Sequence, residues 1–260
     1  MSVSSRGKRQ PFREAFARVK DVRSFLPGVL VLALTASVKV KDRSCLWKSC
    51  GMVNPVIVDV AANKDNICLE FLRITVEKEA LKNLKWIASM IEKQREETPQ
   101  TIIFCKTFND IASVVSYLLM NLCQNAFVER ESERLPLLGV YHAKIWDTQK
   151  KRTEEDFKES GVQRVVVATC ALGMGINFQN VEYVIHYGPP HSVTEIIQQS
   201  GRAGRSGQQA FSIVYATNRQ LSQCDKDVKD IMKEDPRRPN FQRSGTFMLH
   251  CVQGKMQVYW

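Results

Sequence analysis

The chain has 260 residues, 44% of them apolar, enough for one sizeable core or one domain with a piece of another. Its formal net charge of +10 favours a polyanionic partner, and no apolar run approaches the roughly 18–20 residues of a membrane span. The eight cysteines stand singly with no CxxC pair, which argues against a zinc cluster and for a reducing compartment, nucleus or cytoplasm.

The N-terminal stretch MSVSSRGKRQPFRE has no apolar core of the kind a secretory signal needs. Positive charge concentrates here: residues 1–50 hold eleven Lys or Arg against three acids. From Pro11 to Leu26, apolar residues Phe12, Phe16, Val19, Val22 and Phe25 recur at spacings of three and four, which predicts an amphipathic helix. Pro27-Gly28 ends it. VLVLALTAS then predicts a buried strand running into a polar loop, and VIVDV, after Asn54-Pro55, a second short strand.

From Leu69 onward strands and helices alternate. Strands are expected at 69–76, 101–105, 137–141, 164–169, 181–187 and 210–216. Helices are expected at 79–91, 109–122, 148–160 with Thr148 as N-cap, 192–200 and 221–233. ERESERLP, 129–136, is read as a charged surface loop. The strands are continuous apolar runs, which indicates a parallel sheet covered on both faces. After Asp235-Pro236 the tail has little periodicity.

Two stretches carry chemistry. QQSGRAGRSG, Gln198 to Gly207, lies between a helix and a strand. Its glycines permit tight turns and close approach to a ligand. Arg202 and Arg205, three apart, can project toward one side of a turn, and guanidinium forks suit phosphate oxygens. In VVVATCALGMGIN, Val165 to Asn177, a buried strand ends at Thr169 and enters a loop with Gly173 and Gly175. Ligands of open α/β sheets bind at such carboxyl ends. Helix 192–200 is expected to bring Glu195 and Gln198 close to the arginine loop. Tyr141, Phe108 and Trp146 could stack on bases, although aromatics at strand ends more often pack in the core. His142, His186, His191 and His250 are not spaced as metal ligands.

These residues resemble the RecQ family of superfamily 2 DNA helicases. ATCALGMGIN is similar to helicase motif V and QQSGRAGRSG to motif VI. TIIFCKTFND (101–110) is similar to motif IV, and YHAKIWDTQKKRTEEDFKES (141–160) to the stretch between motifs IV and V. VLALTAS (31–37) is similar to motif III, with Thr35-Ala36-Ser37 in place of T-A-T. PFREAF (11–16) is similar to the segment that follows the family's DExH box.

The resemblance implies a RecA-like, P-loop NTPase-type α/β lobe over 65–235, the helicase C-terminal lobe, preceded by a remnant of the first lobe over 1–60 and followed by an irregular tail, 236–260. It implies ATP and Mg²⁺ shared with a first lobe, ATP-dependent 3′-to-5′ unwinding of DNA in repair, recombination or replication, and a nuclear or cytoplasmic site. Arg202, Arg205 and Gln198 would be catalytic. Gly173, Gly175, Asn177, Gly201 and Gly204 would face the nucleotide. Thr35, Ser37, Lys106, His142 and Thr169 would face single-stranded or forked DNA. No metal ligand is expected, neither GxxxxGK[ST] nor an Asp-Glu dipeptide occurs, and the chain alone is expected not to hydrolyse ATP. Two rivals remain: a non-catalytic nucleic-acid or protein-binding module, and a lobe of another superfamily 2 helicase acting on RNA. Against the RNA helicase stand the GMGIN and QQSGRAGRSG forms of the two motifs.

Overall fold

The computed structural model describes residues 18–26, 28–35, 42–58, 64–75, 79–158, 161–173 and 178–231. The chain divides into two compact units, residues 1–62 and 63–260.

Among the described residues of the first unit are two short helices, α1 (Val19–Phe25) and α2 (Arg43–Ser49). The start of the expected first helix, with Phe12 and Phe16, lies outside the described residues. The expected strand at 29–35 does not form: the segment is irregular, and Leu30, Leu32 and Leu34 stand exposed. Residues 56–58 are likewise irregular, and Val56 and Val58 are exposed. A continuous apolar run becomes a buried strand only between paired neighbours, and among the described residues no strand of this unit flanks either segment.

The second unit is built on a six-stranded, wholly parallel sheet. Its strands are β1 (Ile67–Ile74), β2 (Gln100–Cys105), β5 (Leu138–Tyr141), β6 (Val165–Ala168), β7 (Val181–Tyr187) and β8 (Ala210–Thr217), in the order β1-β8-β7-β2-β6-β5. Both faces are buried, so alternate side chains of one strand enter two different cores. Ile103, Val165 and Val167 meet Ile87 and Ile91 of α3 (Lys85–Gln94) and Val114 and Leu118 of α4 (Phe108–Leu122). Ile102, Phe104, Val166 and Ala168 face the opposite way, toward Phe157, Leu172, Phe178 and Ala203. Phe157 lies at the end of α5 (Asp147–Asp156), and further along the sheet Val193 and Ile196 of α6 (Val193–Ser200) pack with Cys224 and Val228.

Several elements differ from the sequence expectation. The charged segment expected as a loop is a β-hairpin, β3 (Phe127–Arg130) and β4 (Glu133–Pro136). Its two-residue turn has Glu131 at φ 50° and Ser132 at φ 69°, the left-handed pair that matches strand twist. Val128 pairs with Leu135 while the charges flank them, and Arg134 lies 4.1 Å over the Phe127 ring. The 79–91 helix begins as a 3-10 turn, Leu81–Leu84. Trp146, not Thr148, occupies the N-cap position of α5. The 221–233 helix is two pieces, α7 (Asn218–Ser222) and α8 (Lys226–Ile231); a capping box at Thr217 and Gln220 starts the first before the apolar pattern begins. The tail after 231 lies outside the described residues.

Candidate functional site

Because every strand of the sheet runs the same way, the carboxyl ends of all six share one edge and the amino ends share the other. Most of the sequence-selected residues that are described in this unit lie at one or other of these edges.

Lys106, His142 and Thr169 follow the ends of β2, β5 and β6, three adjacent strands with β6 in the middle. Neighbouring strands lie about 4.8 Å apart, so the three backbones fall within about 10 Å along the edge. The amide of Thr169 donates to the Tyr141 carbonyl at 3.1 Å, tying two of these ends together. His142 packs on Phe108 with ring centroids 4.8 Å apart, and Lys144 lies 5.1 Å above the Phe108 ring. Burial first, then the charges of Lys144 and Lys150, pull the His142 pKa below its ordinary value, so the imidazole is neutral near pH 7. Helix α4 starts at this edge with a capping box between Thr107 and Asp110. Its amino terminus adds the positive end of a helix dipole beside Lys106.

The arginine loop occupies the other edge. Helix α6 returns antiparallel to the strands, so the residues after Ser200 arrive where β7, β8 and β1 begin. The Gly204 amide donates to the Val181 carbonyl at 2.9 Å, and the Ala210 amide to the Asn66 carbonyl at 2.8 Å. Asn66 Nδ2 donates to the carbonyls of both Gly204 and Gln208 at 2.7 Å. Gly204 sits at φ +60°, and an added Cβ would stand 2.4 Å from that amide nitrogen; here glycine is required by both conformation and space. Lys64 Nζ donates to the Gly201 carbonyl at 3.0 Å, and Arg205 Nε approaches the same oxygen at 3.4 Å.

The two arginines do not share one environment. Arg202 is 9% exposed, while Arg205 is exposed. Burial, then the like charge of Arg205, pulls the Arg202 pKa below its usual range, and the same two causes in the same order lower Lys64. Two cations, Lys64 and Arg205, thus meet at one carbonyl with Arg202 within electrostatic reach of Arg205, a donor set that fits the phosphate end of a nucleotide. Among the described residues no group of three or more His, Cys, Asp or Glu could hold a metal ion, and no helix is long and apolar enough to cross a membrane.

The segment joining the edges is the one that resembles motif V. It leaves the carboxyl edge at Thr169, turns through Cys170–Gly173, and ends beside the arginine loop, where the Ser206 hydroxyl lies 3.4 Å from the Gln179 carbonyl and from Asn180 Oδ1. Leu172 on one side and Phe178 on the other are buried in one core with Ala203 of the arginine loop, and Phe178 meets Phe157 edge-on at 4.8 Å. Gly175 and Asn177 lie outside the described residues, as does Ser37; Gly173 ends the 3-10 turn, and Thr35 is exposed in the first unit.

Helix α6 departs from the sequence reading. Glu195 is at its amino end, accepting from the His191 amide at 3.1 Å, and so lies toward the carboxyl edge rather than beside the arginine loop. Gln198 is exposed; its neighbour Gln199 is buried. Gln199 Nε2 donates to Glu195 at 3.0 Å, and its Oε1 lies 2.9 Å from His186 Nδ1. His186 Nε2 is 3.3 Å from the Ser212 hydroxyl, which is 2.7 Å from Ser200. The carboxamide oxygen fixes Nδ1 as the donor, leaving Nε2 to accept from Ser212. A buried polar chain therefore runs the length of α6 between the two edges. Lys64 and Asn66 escaped the sequence reading because neither lies in a glycine-rich motif, and the pairing of His186 with Gln199, a residue inside QQSGRAGRSG, appears only once β7 and α6 are packed together. Lys64 and Asn66 precede a strand whose place beside β8 emerges only with the strand order.

The comparisons agree with this architecture. Residues 81–207 match the helicase conserved C-terminal domain. The RecQ-like DNA helicase BLM of Xenopus laevis is 28% identical over 86% of this chain and 16% of its own length. A protein of Acanthamoeba polyphaga mimivirus named as a putative ATP-dependent RNA helicase is 27% identical over 78% of this chain and 33% of its own. The chain thus spans a third or less of these relatives. Among solved structures, S. cerevisiae Dbp5 bound to RNA and ADP BeF3 superposes with a TM-score of 0.58 at 20% identity, over 82% of this chain and 50% of that one. At that identity the likeness speaks for the fold alone: a parallel sheet of the helicase RecA-like type.

Proposed function

We propose, from the match of residues 81–207 to the helicase conserved C-terminal domain, that this chain supplies the second motor lobe of an ATP-dependent, 3′-to-5′ DNA helicase of RecQ type. The observation that carries this reading is the separation of cations onto opposite edges of one sheet, Lys106 at the carboxyl ends of the strands and Lys64, Arg202 and Arg205 at the amino ends.

At the amino edge, Arg205 and Arg202 would stabilise the charge that develops on the terminal phosphate of ATP as it is cleaved, the contribution an arginine makes in phosphoryl transfer. Asn66 and Gly204 hold that loop against the sheet, and Lys64 would add a point charge beside it. Phosphate binding and the ligands of Mg²⁺ would come from a first lobe. At the carboxyl edge, Lys106 and the dipole of α4 would grip the backbone of a strand without reading its sequence. Leu172, Phe178 and Ala203 share one core, so a shift of the arginine loop on hydrolysis would move the segment that leads to the nucleic-acid edge.

RNA is the second reading, because a relative named as an RNA helicase matches over a similar span. The test is strand separation by this chain joined to the first lobe of a RecQ relative. The proposal expects ATP-dependent unwinding of DNA duplexes with 3′ tails and not of those with 5′ tails. Unwinding of RNA duplexes alone would move the protein to the second reading. Nucleic-acid binding without unwinding by a fusion whose first lobe is competent in its own parent would favour a non-catalytic binding module.

A further inference from the structure

The turn before α5 spends stability in two ways. The N-cap position of a helix is best filled by Ser, Thr, Asp or Asn, whose side chain satisfies an amide of the first turn. Here it holds Trp146, with extended backbone at φ −61° and ψ 143° and no side-chain cap. The indole also stands 83% exposed, the most exposed large aromatic described in the sheet unit. The unit gains neither a cap nor core packing from it.

The surroundings name an occupant. Trp146 ends a compact turn closed by the Ile145 amide on the His142 carbonyl at 3.2 Å. That turn carries His142, packed on Phe108, and Lys144 above the same ring; Phe108 is itself 41% exposed. Lys106 and Lys150 lie on the same edge. Interleaved cations and exposed rings suit a strand that presents phosphates and base faces alternately. A duplex hides its base faces in the stack, so the fitting ligand is unpaired.

We propose that Trp146 is a stacking platform for one base of an unpaired nucleic-acid strand whose phosphates run past Lys106, Lys144 and Lys150. This rests on the nucleic-acid reading of the carboxyl edge and adds how it tells unpaired from paired strands. No sequence preference follows, because every base has a face to stack.

The test compares two labelled oligonucleotides of equal length at matched low salt: oligothymidylate, and the same sugar–phosphate chain with abasic sites. The wild-type chain is expected to prefer oligothymidylate by about tenfold, within the range of one stacked base. Trp146→Ala should lose that preference while binding the abasic chain as before, and Trp146→Phe should keep most of it. Because Trp146 is exposed, circular dichroism of all variants should coincide. Equal wild-type affinity for both oligonucleotides, or an undiminished preference in Trp146→Ala, overturns the platform and leaves the phosphate reading standing. Binding of neither oligonucleotide overturns the nucleic-acid reading itself.

Discussion

Asn66 reaches across 138 residues of sequence to donate its side-chain amide to the Gly204 carbonyl, and the same nitrogen serves Gln208. One short side chain thus ties the arginine loop to the start of β1. Removing it takes a donor from two partly buried carbonyls, of which Gly204 keeps the Gly207 amide at 3.2 Å. Asn66→Ala is expected to cost about 1–3 kcal/mol, read as a fall in melting temperature of several degrees. Amide exchange should quicken at residues 202–208 more than in the strands. Unchanged exchange in that loop would show that the loop is held by other contacts.

Gly204 and Gly207 are both left-handed, at φ +60° and +88°, but only Gly204 is enclosed. Either alanine incurs the left-handed penalty of about 1–2 kcal/mol. Gly204→Ala must in addition displace the Asn66 amide, with the Gln208 carbonyl 3.1 Å away on another side. Its denaturation midpoint should fall clearly below that of Gly207→Ala. Equal midpoints would mean the loop adjusts freely around the new methyl group.

His186 gives the fold a pH dependence. Burial lowers its pKa to about 4, against an ordinary value of about 6.5, despite the bond to Gln199, which acts the other way. The fold therefore holds the neutral ring. Its contribution is complete above pH 6.5, where both states are neutral, and is lost as pH falls from 6.5 toward 4 and the unfolded chain takes up the proton first. The loss amounts to about 3 kcal/mol near pH 4. Denaturant titrations across that window should show the decline, and His186→Gln should flatten it. An equally steep decline in the variant would assign the acid sensitivity elsewhere.

On the proposed function, division of charge between the two edges should separate binding from turnover. Lys106→Ala and Lys144→Ala should each weaken single-strand binding and reduce the slope of log affinity against log salt by about 1. Arg205→Ala, on the far edge, should leave the slope unchanged. A slope that drops with Arg205 and not with Lys106 would place the strand on the wrong edge.

The parallel sheet was legible because its strands are predominantly apolar, as in Val165–Ala168; Val181–Tyr187 matches the sequence expectation residue for residue. The hairpin at 127–136 was hidden because only Phe127, Val128 and Leu135 pack on the core, too few to set a period against five charges. The apolar run 29–35 misled in the other direction, since its character says nothing of which neighbours it has. The chosen arginines could be read from QQSGRAGRSG, yet their unequal exposure could not, because it depends on where α6 stops. Trp146 displaced the expected N-cap by two residues because propensity favours Thr148 and the backbone entered the helix earlier.

The proposed motor lobe depends on the arginine loop acting on ATP. The most direct measurement is nucleic-acid-stimulated ATP turnover by this chain joined to the first lobe of a RecQ relative, with Arg205→Ala, Arg205→Lys and Arg202→Ala beside the unsubstituted fusion. An arginine at a transferring phosphoryl group contributes about 10³–10⁵ in rate, so Arg205→Ala should lose turnover by orders of magnitude. Lysine should restore little, because an ammonium lacks the planar fork. Arg202→Ala should also impair turnover, with an added loss of stability, since its side chain is buried. Near-normal turnover in both alanine variants, with the fold intact by circular dichroism, would contradict the account and leave the loop as a glycine turn between a helix and a strand.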